Sequence, residues 1–468
     1  MGGVDTDPVR VHMILAITLA VLLIGWGVLL SPPFRGLRAS IGLPTDLPGA
    51  RFNPEVNAAE IISKDEEGAK FFLARVAHYY HALFAVLLYG MLAAFGSMRK
   101  DVVGVDLLNI TLIGTIFTVT GAIVYSYISR TFFWHGLFIS GLAILFSSGL
   151  LTLLRFKPSK MLDLALIVAL ILLLGGGAIG AYVGSSYINS EVAEGFERAK
   201  ILARFNPDLG EDNEIWRAMT GHLHTMVALA TTMTFLIGIY RIGILDGKLA
   251  NLNGKLAKIS ILLVIFGELV MALASYSVWF FGKIAHLIIT PAALILIAST
   301  LILSFLMHGY GLKESFKEPK SLLFWGLRLG NIWTWAFIAL PGAIVAISLR
   351  KPIFFNPEFR NELWDWAELS YNIGHWHIIV VLWGVMLLLI YLADVRSKLA
   401  SAFGWLSLIG MLGATAAANL YMLANPPGPY SPNPYSNFWL STIVEPFLIL
   451  MSIGIAVSYL LFLIYSTK

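Results

Sequence analysis

Phe205-Asn206-Pro207, a polar loop, and then Gly221-His222-Leu223-His224 at the head of a long apolar run form the middle copy of a unit that occurs three times in this chain. The first copy is Phe52-Asn53-Pro54 with His78 and His81, and the third is Phe355-Asn356-Pro357 with His375 and His377. The copies recur about every 150 residues, and self-similarity at a fixed period decides architecture ahead of any local pattern. The repeats fall near 1–157, 158–318 and 319–468, inside what reads as a single membrane domain. Each repeat then offers two imidazoles at the same depth of an apolar helix.

The composition sets the solvent. Of the 468 residues, 58% are hydrophobic and 13% are charged, far more apolar surface than water would solvate. Runs of about 20 apolar residues are long enough to cross a hydrocarbon layer about 30 Å thick as helices. There is no cysteine, which excludes disulfides, thiolate-ligated zinc, iron–sulfur clusters and covalent Cys-x-x-Cys-His haem attachment. The net charge of +4 is small, and nothing in its pattern suits nucleic acid. Residues 13–30 run into Ser31-Pro32-Pro33 with no small-residue cleavage site, so they are expected to be a first span and not a removed leader.

Twelve spans are expected, at about 11–30, 70–97, 105–129, 133–154, 161–186, 215–240, 258–280, 284–307, 322–348, 370–393, 402–424 and 438–465. One set of alternate loops is basic: Arg99-Lys100, Arg155/Lys157/Lys160, Arg241/Lys248/Lys255/Lys258, Lys313/Lys317/Lys320 and Arg396/Lys398. The other set holds the Phe-Asn-Pro turns and mixes acids with bases. The positive-inside rule puts the basic loops and both termini in the cytoplasm of a plasma-membrane protein, and turns every histidine pair outward. Four spans per repeat makes spans 2, 6 and 10 equivalent. Spans 4 and 8 each open with a further histidine, His135 and His286, where span 12 has Glu445.

Of the ten histidines, eight lie near outer ends of spans, while His12 and His308 lie at the cytoplasmic side. A lone interfacial histidine such as His135 is most simply one that snorkels to water or satisfies a hydrogen bond. Three pairs at equivalent depth ask for more, because polar groups there are costly and usually functional. Residues i and i+2 of a helix are rotated by about 200°, so His222 and His224 face opposite sides of span 6, as His375 and His377 do on span 10. One helix then supplies an axial ligand to each of two pockets. His78 and His81, about 300° apart, share a face, so either one is not a ligand or the helix is distorted there. Arg75, Arg217 and Arg130 precede His78, His222 and His135 by three to five residues and suit haem propionates, although anchoring of the spans explains them as well. Trp216, Trp364, Trp366 and Trp376 read as an aromatic belt.

Histidines on spans 2, 6 and 10 of twelve resemble the catalytic subunit of the haem-copper oxidase and nitric oxide reductase superfamily. Ala74-Arg75-Val76-Ala77-His78 looks like the span 2 motif of its nitric-oxide-reductase and C-type branches, and Gly374-His375-Trp376-His377 looks like its span 10 motif. The resemblance implies an all-α membrane protein whose twelve helices form three pseudo-symmetric four-helix arcs, with His78, His375 and His377 on haem iron. The chain departs from that family on span 7. There the second metal takes an adjacent histidine pair, and residues 259–280 hold no histidine, with Glu268 as the one carboxylate. Span 6 carries His-x-His instead.

The expected cofactors are therefore two or three non-covalent, bis-histidine b-type haems on His78, His222, His224, His375 and His377, with His81 open and copper not expected. The expected role is an electron-transfer subunit of a respiratory oxidoreductase, in contact with lipid, partner subunits, quinol and an outer-face cytochrome or other redox protein. No residue is assigned a catalytic role. Two alternatives stand beside it: a gas-reducing terminal oxidase with an unusual metal site at His135, His286 and Glu445, and a haem-free proton- or metal-ion-coupled transporter. Glu268 suits proton movement or a hydrogen bond to a neighbouring span equally.

Overall fold

In lipid, a backbone amide has no water to bond, so each apolar stretch must close its own hydrogen bonds as a helix. The computed structural model describes residues 7–30, 35–42, 58–129, 131–205, 213–245, 254–306, 310–342, 378–424 and 440–466, and every regular element among them is helical. Ten of these helices are long and apolar enough to cross a membrane, which makes this a multi-pass membrane protein.

Residues 1–156 with 466–468 form one compact unit, and residues 157–465 form a second. The first unit ends where the first sequence repeat ends. It holds α1 (Pro8–Leu30), the short α2 (Arg35–Ser40), α3 (Ala58–Gly96), α4 (Val105–Tyr127) and α5 (Phe132–Arg155). The part Ala77–Gly96 of α3 is long and apolar enough to span. The helix begins well before the expected residue 70 because Ala58 to Arg75 is rich in Ala, Glu and Lys, which favour helix without needing burial.

The second unit holds α6 (Met161–Ser185), α7 (Ser190–Phe205), α8 (Glu214–Leu245), α9 (Lys255–Phe281), α10 (His286–Leu306), α11 (Leu312–Ser315), α12 (Pro319–Thr334), α13 (Ile378–Leu392), α14 (Lys398–Ala424) and α15 (Glu445–Ser466). Helix α7 occupies what the sequence suggested was plain loop. Phe205, its last residue, is the only described member of the three Phe-Asn-Pro turns. The expected span 322–348 starts as α12, widens into a π turn at Trp335–Ala339, and then leaves the described residues. Of the expected span 370–393, Ile378–Leu392 is described, as a shorter apolar helix. Gly282, at φ +55, ends α9 in a left-handed conformation that a side chain disfavours.

Glycine sets how the helices cross. A Cβ on Gly121 of α4 would lie 2.7 Å from Phe138 Cα of α5, and one on Gly141 would lie 2.5 Å from Thr118 Oγ1. The same reciprocal contact joins α14 to α15: Gly410 would meet Met451 Cα at 2.7 Å, and Gly454 would meet Ser407 Oγ at 2.6 Å. In both crossings a hydroxyl residue stands three before the first glycine, and the second glycine stands three after the bulky partner. Small residues allow this approach, and packing and not hydrophobicity then holds the pair, since lipid is as apolar as leucine.

The loop end of the first unit binds its own cations. Arg99 donates to Asp101 through Nε at 2.9 Å and Nη2 at 2.8 Å, Lys100 pairs with Asp7 at 2.8 Å, and Arg155 pairs with Asp106 at 2.6 Å. The Arg99 hydrogen bonds hold the Asp101 carboxyl below its ordinary range. That pair therefore stabilises above the ordinary aspartate range and fades as pH falls through it, though a solvent-exposed bridge is worth only about 0–1 kcal/mol.

Replacement of Gly121 or Gly141 by Val should cost about 1–3 kcal/mol or more, because the atoms in the way are largely backbone. Gly136→Ala on the same α5 has open space around its Cβ and should be neutral or mildly stabilising. Thermal unfolding in detergent compares the three.

Candidate functional site

The histidine pair of the second unit sits near the start of α8, whose entry is fixed by its cap. Asn213 Oδ1 accepts from the Trp216 amide at 2.9 Å, the usual N-cap arrangement. Glu214 in the next position ties α8 to its neighbours: its Oε1 accepts from Trp279 Nε1 of α9 at 2.8 Å and from the Tyr182 hydroxyl of α6 at 3.2 Å. Tyr182 stacks on Trp279, with ring centroids 4.8 Å apart. These contacts close one end of the α6–α8–α9 trio.

About two turns further along α8, His222 turns toward α6. Its Nδ1 lies 2.7 Å from the Gly176 carbonyl oxygen. A carbonyl only accepts, so Nδ1 carries the proton and Nε2 carries the lone pair. The approach depends on the run Gly175-Gly176-Gly177-Ala178-Ile179-Gly180. A Cβ on Gly180 would lie 2.6 Å from His222 Cε1, and one on Gly176 would lie 2.8 Å from Met226 Sδ, one turn along α8.

His224 makes the same kind of bond within its own helix, Nδ1 to the Thr220 carbonyl at 2.8 Å. Its face of α8 looks elsewhere. Phe235 and Gly238 lie on that face by the helix period, and they pack against Gly330 and Leu327 of α12. His222 and His224 thus address opposite sides of α8, toward α6 and toward α12.

In the first unit His81 Nδ1 lies 2.7 Å from the Ala77 carbonyl, again leaving the lone pair on Nε2. His78 and His81 share a face, and both rings pack on Phe138, at 4.8 Å and 5.6 Å between centroids. His78 also meets Tyr125 at 5.0 Å and His135 at 5.6 Å, and Tyr125 meets His135 at 4.9 Å. Two imidazoles and a phenol therefore gather where the middle of α3 meets the end of α4 and the start of α5. The sequence singled out His135 but did not bring it or Tyr125 to His78, because their meeting depends on how close α4 and α5 cross. His12 has an ordinary structural place, with Nδ1 2.6 Å from the Tyr89 hydroxyl.

Arg217 lies on α8 five residues before His222, and its buried Nε has no hydrogen-bond partner among the described residues. Glu445 opens α15 from an exposed position. His375, His377, Arg130 and the side chains of Arg75 and His286 lie outside the described residues. Among the described residues, no three of His, Asp and Glu converge as a metal site would require. No family model, no curated protein and no solved structure matches this chain.

Asn213→Ala should cost about 0.5–2 kcal/mol of stability while Asn213→Asp is tolerated, since the cap needs only a side-chain oxygen acceptor. Denaturation midpoints of the two variants in detergent check this.

Proposed function

We propose that this chain is a b-type haem-carrying membrane subunit of a respiratory oxidoreductase, passing electrons near the outer membrane face between quinol and a redox protein. The observation that supports it is the pair of Nδ1–carbonyl bonds on His222 and His224, both of which leave Nε2 with the lone pair. Metal-bound histidines characteristically give their other ring N–H to a carbonyl or carboxylate, which fixes the tautomer and aims the ligand.

The donor set fits haem in three respects. It is imidazole with no thiolate, it lies on opposite faces of one helix, and Arg217, whose Nε has no hydrogen-bond partner among the described residues, lies on the same helix to pair with a propionate. Held by these imidazoles, bound haem would supply reversible one-electron chemistry, which suits electron transfer rather than gas binding. The protein's part is to hold and orient. Gly180 leaves room for the His222 ring, the Gly176 carbonyl fixes its tautomer, and Thr220 does the same for His224. In this reading the chain is a divergent relative of the haem-copper oxidase fold, with twelve spans, three arcs, cytoplasmic termini and no second metal. His78, His375 and His377 complete the ligand set. The resemblance of Ala74-Arg75-Val76-Ala77-His78 to the span 2 motif makes His78 the ligand, and His81, which packs beside it on Phe138, stays open.

A reduced-minus-oxidised spectrum of the purified protein, with a haem and metal count, tests the reading. Two or three low-spin b haems are expected. A haem-free protein would point to the transporter, and stoichiometric non-haem metal to the gas reductase. His222→Ala and His224→Ala should abolish different spectral components, because the two rings serve different sides of α8; one identical loss from both would contradict separate pockets. Gly180→Ala should weaken the His222 component, whereas Gly184→Ala, with open space at its Cβ, should not.

A further inference from the structure

Glu268 sits at the midpoint of α9 and is fully buried, and neither carboxylate oxygen has a hydrogen-bond partner among the described residues. Its surroundings follow from the contacts of its own helix. Gly267, one residue before, packs on Leu296 and Ile295 of α10. Tyr276 donates to the Leu172 carbonyl of α6 at 3.2 Å. Gly221 of α8 lies against the Ser275 carbonyl, and counting along the two antiparallel helices from that contact puts Glu268 opposite Ala228. The carboxyl therefore belongs to the face of α9 that meets α8.

None of the helices around it offers a counter-charge at that depth. Helix α6 has Asp163 and Tyr182, near its two ends, as its only ionisable groups, and α10 has only His286, its first residue. On α8 the ionisable groups are Glu214, Arg217, His222 and His224 at one end and Tyr240 and Arg241 at the other, with Arg241 paired to Asp394. Of the pair, His222 turns to α6 and His224 to the α12 side. On α9 itself the others are Lys255 and Lys258 at the start and Tyr276, which bonds to α6.

A carboxylate without a cation is not stable in such a place, so its charge has to be cancelled by something it binds. One more buried polar atom on α9 has no partner among the described residues, Ser275 Oγ. Ser275 is two turns from Glu268 on the same face of α9. Orphaned polar groups in a packed interior signal water or an ion.

We propose that Glu268 is an exchangeable monovalent-cation site inside the membrane, binding and releasing a proton or a sodium ion. The ligand chemistry is a single positive charge on a carboxylate, with the hydroxyl of Ser275 placed on the same face of α9 to hold water beside it. The assignment does not depend on haem, and its test reads the carboxyl itself.

Infrared difference spectra of the purified full-length protein, recorded between acid and alkaline buffer in sodium or choline salt, decide it. The expected result is a carboxylic C=O band that disappears on going alkaline, shifts in heavy water, is lost in Glu268→Gln and moves in Glu268→Asp. If the proton alone is the ligand, the titration is the same in both salts. If sodium competes, sodium removes the band at a pH where choline does not. A protein with no Glu268-dependent band at any pH in choline would show a carboxylate that some other group neutralises. A band that neither titrates nor answers to sodium would show a sealed carboxyl. Either outcome overturns the proposal.

Discussion

The imidazole of His222 reaches across to the Gly176 carbonyl because α6 presents hydrogen where other helices present side chains. A polar ring in an apolar layer needs a partner, and the bond to a neighbouring helix supplies one while it selects the tautomer. Much else hangs on this approach. It brings Met226 against Gly176 and presses α8 to α6 as Gly221 presses it to α9. The opposite face of α8 is left to His224 and α12. A helix with one imidazole bound outward and the next turned the other way is what the pairing at positions i and i+2 requires.

Close crossing at glycine takes the same form twice. The α4–α5 and α14–α15 pairs both use the reciprocal hydroxyl–glycine arrangement. The bulky partner differs, Phe138 in one and Met451 in the other, and the geometry does not. A crossing controlled by backbone proximity tolerates such changes on one side and few on the other.

Most helices were legible from hydropathy alone, since lipid forces an apolar run of sufficient length into a helix. The α4, α5, α6 and α9 boundaries fall within a few residues of the expected ones. What was not legible depends on other physics. The polar beginning of α3 and the whole of α7 are helices that propensity makes and hydropathy does not see. The π turn at Trp335–Ala339 interrupts a run that looks uniform in sequence. In the candidate site, the opposite facing of His222 and His224 could be read from the helix period, and so could the shared face of His78 and His81. The meeting of His78 with Tyr125 and His135 could not, because it is set by interhelical distance. The Gly175–Gly180 run was the available signal for the His222 cradle, though a glycine run in a membrane helix serves packing just as often.

The central claim is that these histidines are paired axial ligands. Low-temperature electron paramagnetic resonance of the oxidised, purified protein reads that ligation at the iron itself. The account predicts low-spin ferric signals of bis-imidazole character, accounting for the whole haem content, with nitrogen hyperfine coupling altered by ¹⁵N-histidine labelling. A spectrum dominated by high-spin ferric haem, or low-spin signals indifferent to histidine labelling, would contradict it.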